Sequence, residues 1–139
     1  MAYILVVDDD PSDRTLLSEI LGSAGHKVVS VADGQQALDV LERRSDIRAV
    51  VSDLRMPVLN GLRLIRTLRD GGDTIPIIAI SGANADQLLL AEDYGANAIL
   101  FKPLRREKVL EAVDRILTET RSDWSDAWIH PEFGSVGEY

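Results

Sequence analysis

Five short apolar runs, each followed by a segment with helical apolar spacing, constrain this chain more than any other feature. The first is Tyr3-Ile4-Leu5-Val6-Val7, apolar at every position and stopped by three aspartates, Asp8-Asp9-Asp10. A run with no polar alternation predicts a strand covered on both faces, as in a parallel sheet. Residues 12–24 follow with Leu16, Leu17, Ile20, Leu21 and Ala24 at helical spacing. Ser12 or Asp13 is the expected cap, Pro11 the entry and Gly25 the stop. The cycle then repeats. Strands are predicted over 28–31, 47–52, 75–80 and 98–101. Helices are predicted over 35–43, 62–69, 86–94 and 105–118. Inward positions are Ala37, Leu38 and Leu41, then Leu62, Ile65 and Leu68, then Val109, Val113, Ile116 and Leu117. Five strand–helix units joined by short turns predict an α/β domain, a doubly wound parallel sheet with helices on both faces.

The bulk numbers narrow the function. A chain of 139 residues suits one compact domain, expected over 1–119. Residues 120–139 break the alternation and read as a tail. Trp124 and Trp128 lie four apart there, a spacing that would share a helix face and could dock. With no cysteine, disulfides and thiolate metal sites are excluded, which fits a reducing, cytoplasmic setting. No apolar run approaches the ~20 residues needed to cross a bilayer, and no secretory signal is evident, so no membrane role is expected. A net charge of −8 argues against direct nucleic-acid binding, which needs a basic face.

In an open parallel sheet, ligands bind beyond the carboxyl ends of the strands. The first strand presents Asp8, Asp9 and Asp10 at that rim, and the third Ser52 and Asp53. The fourth presents Ser81 and Gly82, and the fifth Lys102 before Pro103. Two unit charges 4 Å apart repel by about 4 kcal/mol at an effective dielectric of 20, so clustered carboxylates call for a cation. Magnesium prefers carboxylates and bridges to phosphate oxygens, which leaves one aspartate free to act as a nucleophile toward phosphorus. Lys102 can neutralise a phosphoryl oxygen, and Ser81 can donate to another. Some aspartates here have a plainer use, and Asp10 and Asp13 are expected to cap the first helix. Pro103 could fix an unusual backbone, with a cis Lys102–Pro103 bond as one form.

At these residues the chain resembles the receiver domains of bacterial two-component response regulators, and is similar to the chemotaxis-type single-domain regulators. The likeness runs from about Tyr3 to Thr118. It is carried by Ile4 to Asp10, Asp33-Gly34-Gln35-Gln36-Ala37-Leu38, Ser52-Asp53-Leu54-Arg55-Met56-Pro57, Gly61, Ser81-Gly82, Gly95-Ala96 and Lys102-Pro103. The resemblance implies a flavodoxin-like sheet in the order 2-1-3-4-5. It makes Asp53 the phosphoacceptor, with Mg2+ (Mn2+ as a substitute) held by Asp9, Asp53 and the backbone carbonyl of Arg55, and by Asp8 directly or through water. Ser81 becomes the switch hydroxyl and Lys102 the phosphoryl contact. The implied donor is a phosphohistidine on a sensor histidine kinase or histidine phosphotransfer protein. His26 and His130 are not placed for that part and are expected at the surface. The implied role is a signalling switch that catalyses only its own phosphoryl transfer and slow autodephosphorylation.

Arg55 and Ala83 flank the expected path of the hydrolytic water, and Arg55 is expected to set the lifetime of the phosphorylated state. Two departures bear on output. Ile99 stands where many receivers carry an aromatic residue, and Ser81 where many carry threonine. Leu88-Leu89-Leu90 is too wide for one buried stripe, so the fourth helix and fifth strand are the expected surface for a downstream protein or a homodimer. Two other chemistries fit less well. A haloacid-dehalogenase-like phosphatase would use Asp8 as nucleophile, but the chain lacks a later acidic pair and room for a cap. A flavin carrier would need a hydroxyl- and glycine-rich loop where this chain has carboxylates.

Overall fold

A computed structural model describes residues 2–56, 58–82 and 85–118. Ten elements alternate along them: β1 (Tyr3–Val7), α1 (Pro11–Ser23), β2 (Lys27–Val31), α2 (Gly34–Arg43), β3 (Ile47–Asp53), α3 (Gly61–Asp70), β4 (Ile77–Ser81), α4 (Ala85–Tyr94), β5 (Ala98–Phe101) and α5 (Arg106–Thr118). The strands form one parallel sheet in the order β2-β1-β3-β4-β5. Successive strand residues face opposite sides, and the core divides accordingly. Ile4, Val6, Val51, Ile78 and Ile80 pack with Leu17, Ile20 and Leu21 of α1 and Val109, Val113 and Ile116 of α5. Leu5, Val7, Val50, Ile77 and Ala79 pack with Ala37 of α2, Leu64, Ile65 and Leu68 of α3, and Leu88 and Ala91 of α4. Each fully buried Leu or Ile stabilises by about 1.5–3 kcal/mol, so both layers hold the sheet.

Asp10 caps α1 as expected, its side chain accepting from Ser12 N, and Pro11 takes the expected entry position. Several local expectations change. Neither Ser12 nor Asp13 caps the helix. Leu16 is 39% exposed and Ala24 is exposed, because the α1 stripe is narrower and runs through Leu17, Ile20 and Leu21. On α3 the stripe is Leu64, Ile65 and Leu68, with Leu62 only partly buried. β4 starts at Ile77 rather than 75. Pro76 has no N–H to give a ladder rung, and the Ile75 N–H is taken by the Asp73 side chain. His26 is half-buried rather than at the surface. Of the leucine trio, Leu88 is buried, while Leu89 and Leu90 are 56% and 42% exposed. Pro57, Ala83, and residues 119–139 with Trp124, Trp128 and His130 lie outside the described residues.

Candidate functional site

The sheet ladder runs one step past the central strands and holds the polar residues at its carboxyl rim. The Asp8 N–H donates to Val31 O at 3.1 Å, the Leu54 N–H to Ile80 O at 3.0 Å, and the Lys102 N–H to Ser81 O at 3.1 Å. Asp8, Asp53, Ser81 and Lys102 are thereby fixed side by side, although they are far apart in sequence. Carboxylate oxygens of Asp8, Asp9 and Asp53 lie within 4.8 Å of one another. The Lys102 ammonium is 3.7 Å from both Asp8 Oδ2 and Asp53 Oδ2. Asp9, Asp53 and Lys102, with Arg55, Met56 and Asn60, line an open basin of about 690 Å³, while Asp8 is buried and forms no part of its lining.

Two glycines make this approach possible. A methyl group on Gly61 would overlap the Asp53 carbonyl, and its N–H donates to Leu54 O, so α3 starts tight against the end of β3. A methyl group on Gly82 would sit 2.9 Å from Lys102 Cβ, so the lysine stem lies flat on the Gly82 backbone. The Lys102–Pro103 peptide bond is cis. In the loop after Asp53, Val58 is exposed and has a left-handed backbone, φ 67°, an uncommon conformation for a β-branched residue.

The electrostatics follow from burial. Asp8 is fully buried, and desolvation pushes its carboxyl from 3.8 up to about 6. The Asp10 N–H opposes this, the Asp53 charge adds to it and Lys102 offsets it. Burial likewise raises the Asp53 carboxyl against the pull of Lys102 and the Arg55 and Leu54 N–H groups, and Asp9 adds to the rise. Burial works against the Lys102 ammonium, yet the Asp13 hydrogen bond and the charges of Asp53 and Asp8 outweigh it and hold it protonated above its ordinary value.

The donor set suits a hard divalent cation. Asp8 Oδ1 accepts from the Asp10 N–H, but the buried Oδ2 has no hydrogen-bond partner among the described residues. With only the Lys102 ammonium at 3.7 Å as counter-charge, a buried carboxylate oxygen that accepts no hydrogen bond costs stability that a closer cation would offset. Asp9 and Asp53 supply further oxygens beside it, an all-oxygen set that matches magnesium rather than a soft metal.

Two residues at the site were not assigned to it from the sequence. Arg14 Nη1 donates to the Asp8 carbonyl at 2.7 Å and pins the strand end. Asp13, expected as a cap, instead accepts from Lys102 Nζ at 2.8 Å. Arginine in a first helical turn carries no local signal for such a contact. Asp13 could have been suspected only once Asp10 was recognised as the better cap.

A second surface lies along α4 and β5. Leu89, Leu90 and Phe101, the last 59% exposed, stand in solvent, with Ile99 half-buried nearby. No helix among the described residues is long and apolar enough to cross a membrane.

Comparisons with known proteins agree with the fold. A family model described as the response regulator receiver domain matches residues 4–114. The response regulator MprA of Mycolicibacterium vanbaalenii is 38% identical over 122 residues, covering 86% of this chain and 52% of that protein. The sensory/regulatory protein RpfC of Xanthomonas campestris pv. campestris is 35% identical over 123 residues, covering 85% of this chain and 17% of that protein. This chain therefore spans about half or less of the length of these relatives. Among solved structures, the chemotaxis protein CheY4 of Vibrio cholerae superposes with a TM-score of 0.76 at 30% identity, covering 84% of this chain and 99% of that one.

Proposed function

The chain belongs to the response regulator receiver domain family, and we propose that within it Asp53 is the residue that accepts the phosphoryl group. The observation that carries this reading is the meeting of Asp8, Asp9 and Asp53 within 4.8 Å, with the Lys102 ammonium 3.7 Å from Asp53 Oδ2. Asp8, Asp9, Asp53 and the Arg55 backbone carbonyl would hold Mg2+, for which Mn2+ could substitute. When bound, the ion supplies charge neutralisation for the carboxylates and the phosphoryl oxygens.

In the transfer, an Asp53 carboxylate oxygen attacks phosphorus on a phosphohistidine donor. A P–O bond forms, the P–N bond breaks, and the imidazole leaves with the electron pair. Lys102 offers a positive charge to one phosphoryl oxygen, and the buried Ser81 hydroxyl donates to another. Asp8 is a poorer nucleophile because it is wholly buried with one oxygen tied to Asp10, which speaks against the phosphatase alternative. The phosphodonor would be a sensor histidine kinase or histidine phosphotransfer protein in the cytoplasm. The output would be protein binding, to a downstream target or a second copy, through Leu89, Leu90 and Phe101 on α4 and β5. The switching unit is assigned to residues 1–119, with 120–139 as its tail.

Incubation with acetyl phosphate and magnesium, followed by intact-mass measurement, tests the assignment. The wild-type chain should gain one phosphoryl group, and Asp53→Asn should gain none. Equal labelling of the Asp53→Asn variant would refute it.

A further inference from the structure

The tightest contact of Lys102 is with a residue outside the acceptor cluster. Its ammonium donates to Asp13 Oδ2 at 2.8 Å, against 3.7 Å to either Asp8 or Asp53. Asp13 lies on the first turn of α1, and Asp10 already caps that helix, so Asp13 is free of capping duty. Nor does it belong to the three carboxylates grouped for a cation. The pair is three-quarters shielded from solvent on both sides, with side chains 24% and 26% exposed. Gly82 supports the lysine stem and leaves the ammonium as the part that can pivot between Asp13 and Asp53.

We propose that Asp13 is a resident anionic partner of Lys102, with which an arriving phosphoryl group must compete, and so sets the threshold for the activated state. This rests on the reading of Asp53 as acceptor. The ammonium has three N–H donors, but where it stands its short bond goes to Asp13 at 2.8 Å and Asp53 stays at 3.7 Å, so the two anions compete for one positive charge. The free energy of the Asp13–Lys102 pair is therefore subtracted from the stabilisation that Lys102 gives the phosphoryl group. Asp13 is a positioning residue: it touches Lys102, not the reacting atoms. Its removal should favour the activated form, which is the reverse of what loss of a merely structural contact would do.

Beryllofluoride, titrated at saturating magnesium and followed by amide NMR, tests this in the full chain. Asp13→Asn should tighten apparent beryllofluoride affinity by about threefold to tenfold, as expected for one part-buried charged hydrogen bond. Asp13→Glu, which keeps the carboxylate, should return affinity toward wild type. In a Lys102→Met background, Asp13→Asn should change affinity less than about twofold, since additivity fails only for groups that interact. The same tightening in both backgrounds would mean simple charge repulsion and would overturn the proposal. So would unchanged or weakened affinity in the single variant. A wild-type chain that takes no beryllofluoride would overturn the reading of Asp53 itself, a result separable from the others.

Discussion

At the scale of single residues, burial without a matched partner governs the site. Asp8 carries its proton up to about pH 6 because its carboxylate is desolvated, whereas an unfolded aspartate loses it near 3.8. The folded state therefore binds more protons across that window, and stability falls as pH rises through it. Above it the full cost applies, about 3 kcal/mol at roughly 1.4 kcal/mol per pH unit. In the presence of a chelator, Asp8→Asn should therefore be more stable than wild type at pH 7, by an amount approaching that figure. The advantage should shrink toward pH 4, and urea unfolding at both pH values reads it. Arg55 is exposed at the basin, where its side chain can screen an acyl phosphate from water. Arg55→Ala should hydrolyse the phosphoryl group several-fold faster, measured as loss of radiolabel after the donor is removed; an unchanged rate would refute the shielding role.

At the scale of elements, long-range polar contacts tie the α3, α4 and β5 edge together. Arg69 on α3 donates to Gly95 O at 2.8 and 3.1 Å, to Asn97 Oδ1 at 3.0 Å and to Asp73 O at 2.9 Å, joining the α3–β4 turn to the α4–β5 turn. Arg69→Ala should cost about 1–3 kcal/mol in urea unfolding, because part-buried carbonyls lose their donor. Elements of this kind were legible in the sequence where the pattern was local. The continuous run of β1 announced two-sided burial, Lys102 could be found as the first polar residue after its strand, and Asp53 as the carboxylate that follows Ser52 at the end of β3. What stayed hidden depends on rotation about a helix or on contacts between distant segments. Leu16 and Leu17 are both apolar, and only packing chose Leu17 for the core. The Lys102–Asp13 bond joins residues 89 positions apart and has no spacing rule behind it.

At the scale of the whole molecule, a cation that binds only the folded chain should stabilise it by mass action, by about 2.7 kcal/mol at 100 times Kd. Magnesium should therefore raise the unfolding temperature of the wild type, and this gain should be lost in Asp9→Asn, as read by scanning calorimetry. Both layers of core pack on the same sheet, and the polar rim hangs from its ladder rather than from a separate loop cluster. The amides of Asp8, Leu54 and Lys102 are end rungs of that ladder: Leu54 bonds to the interior strand β4, whereas Asp8 bonds to the edge strand β2 and Lys102 follows the edge strand β5. Deuterium uptake should accordingly be slowest at Leu54, whose rung joins two interior strands, and faster at Asp8 and Lys102, whose rungs involve edge strands. Asp53 would then sit beside the most protected rung, while Lys102 directly follows exposed Phe101 of the outermost strand, so that a shift of that strand would be felt at once by the site and by the surface.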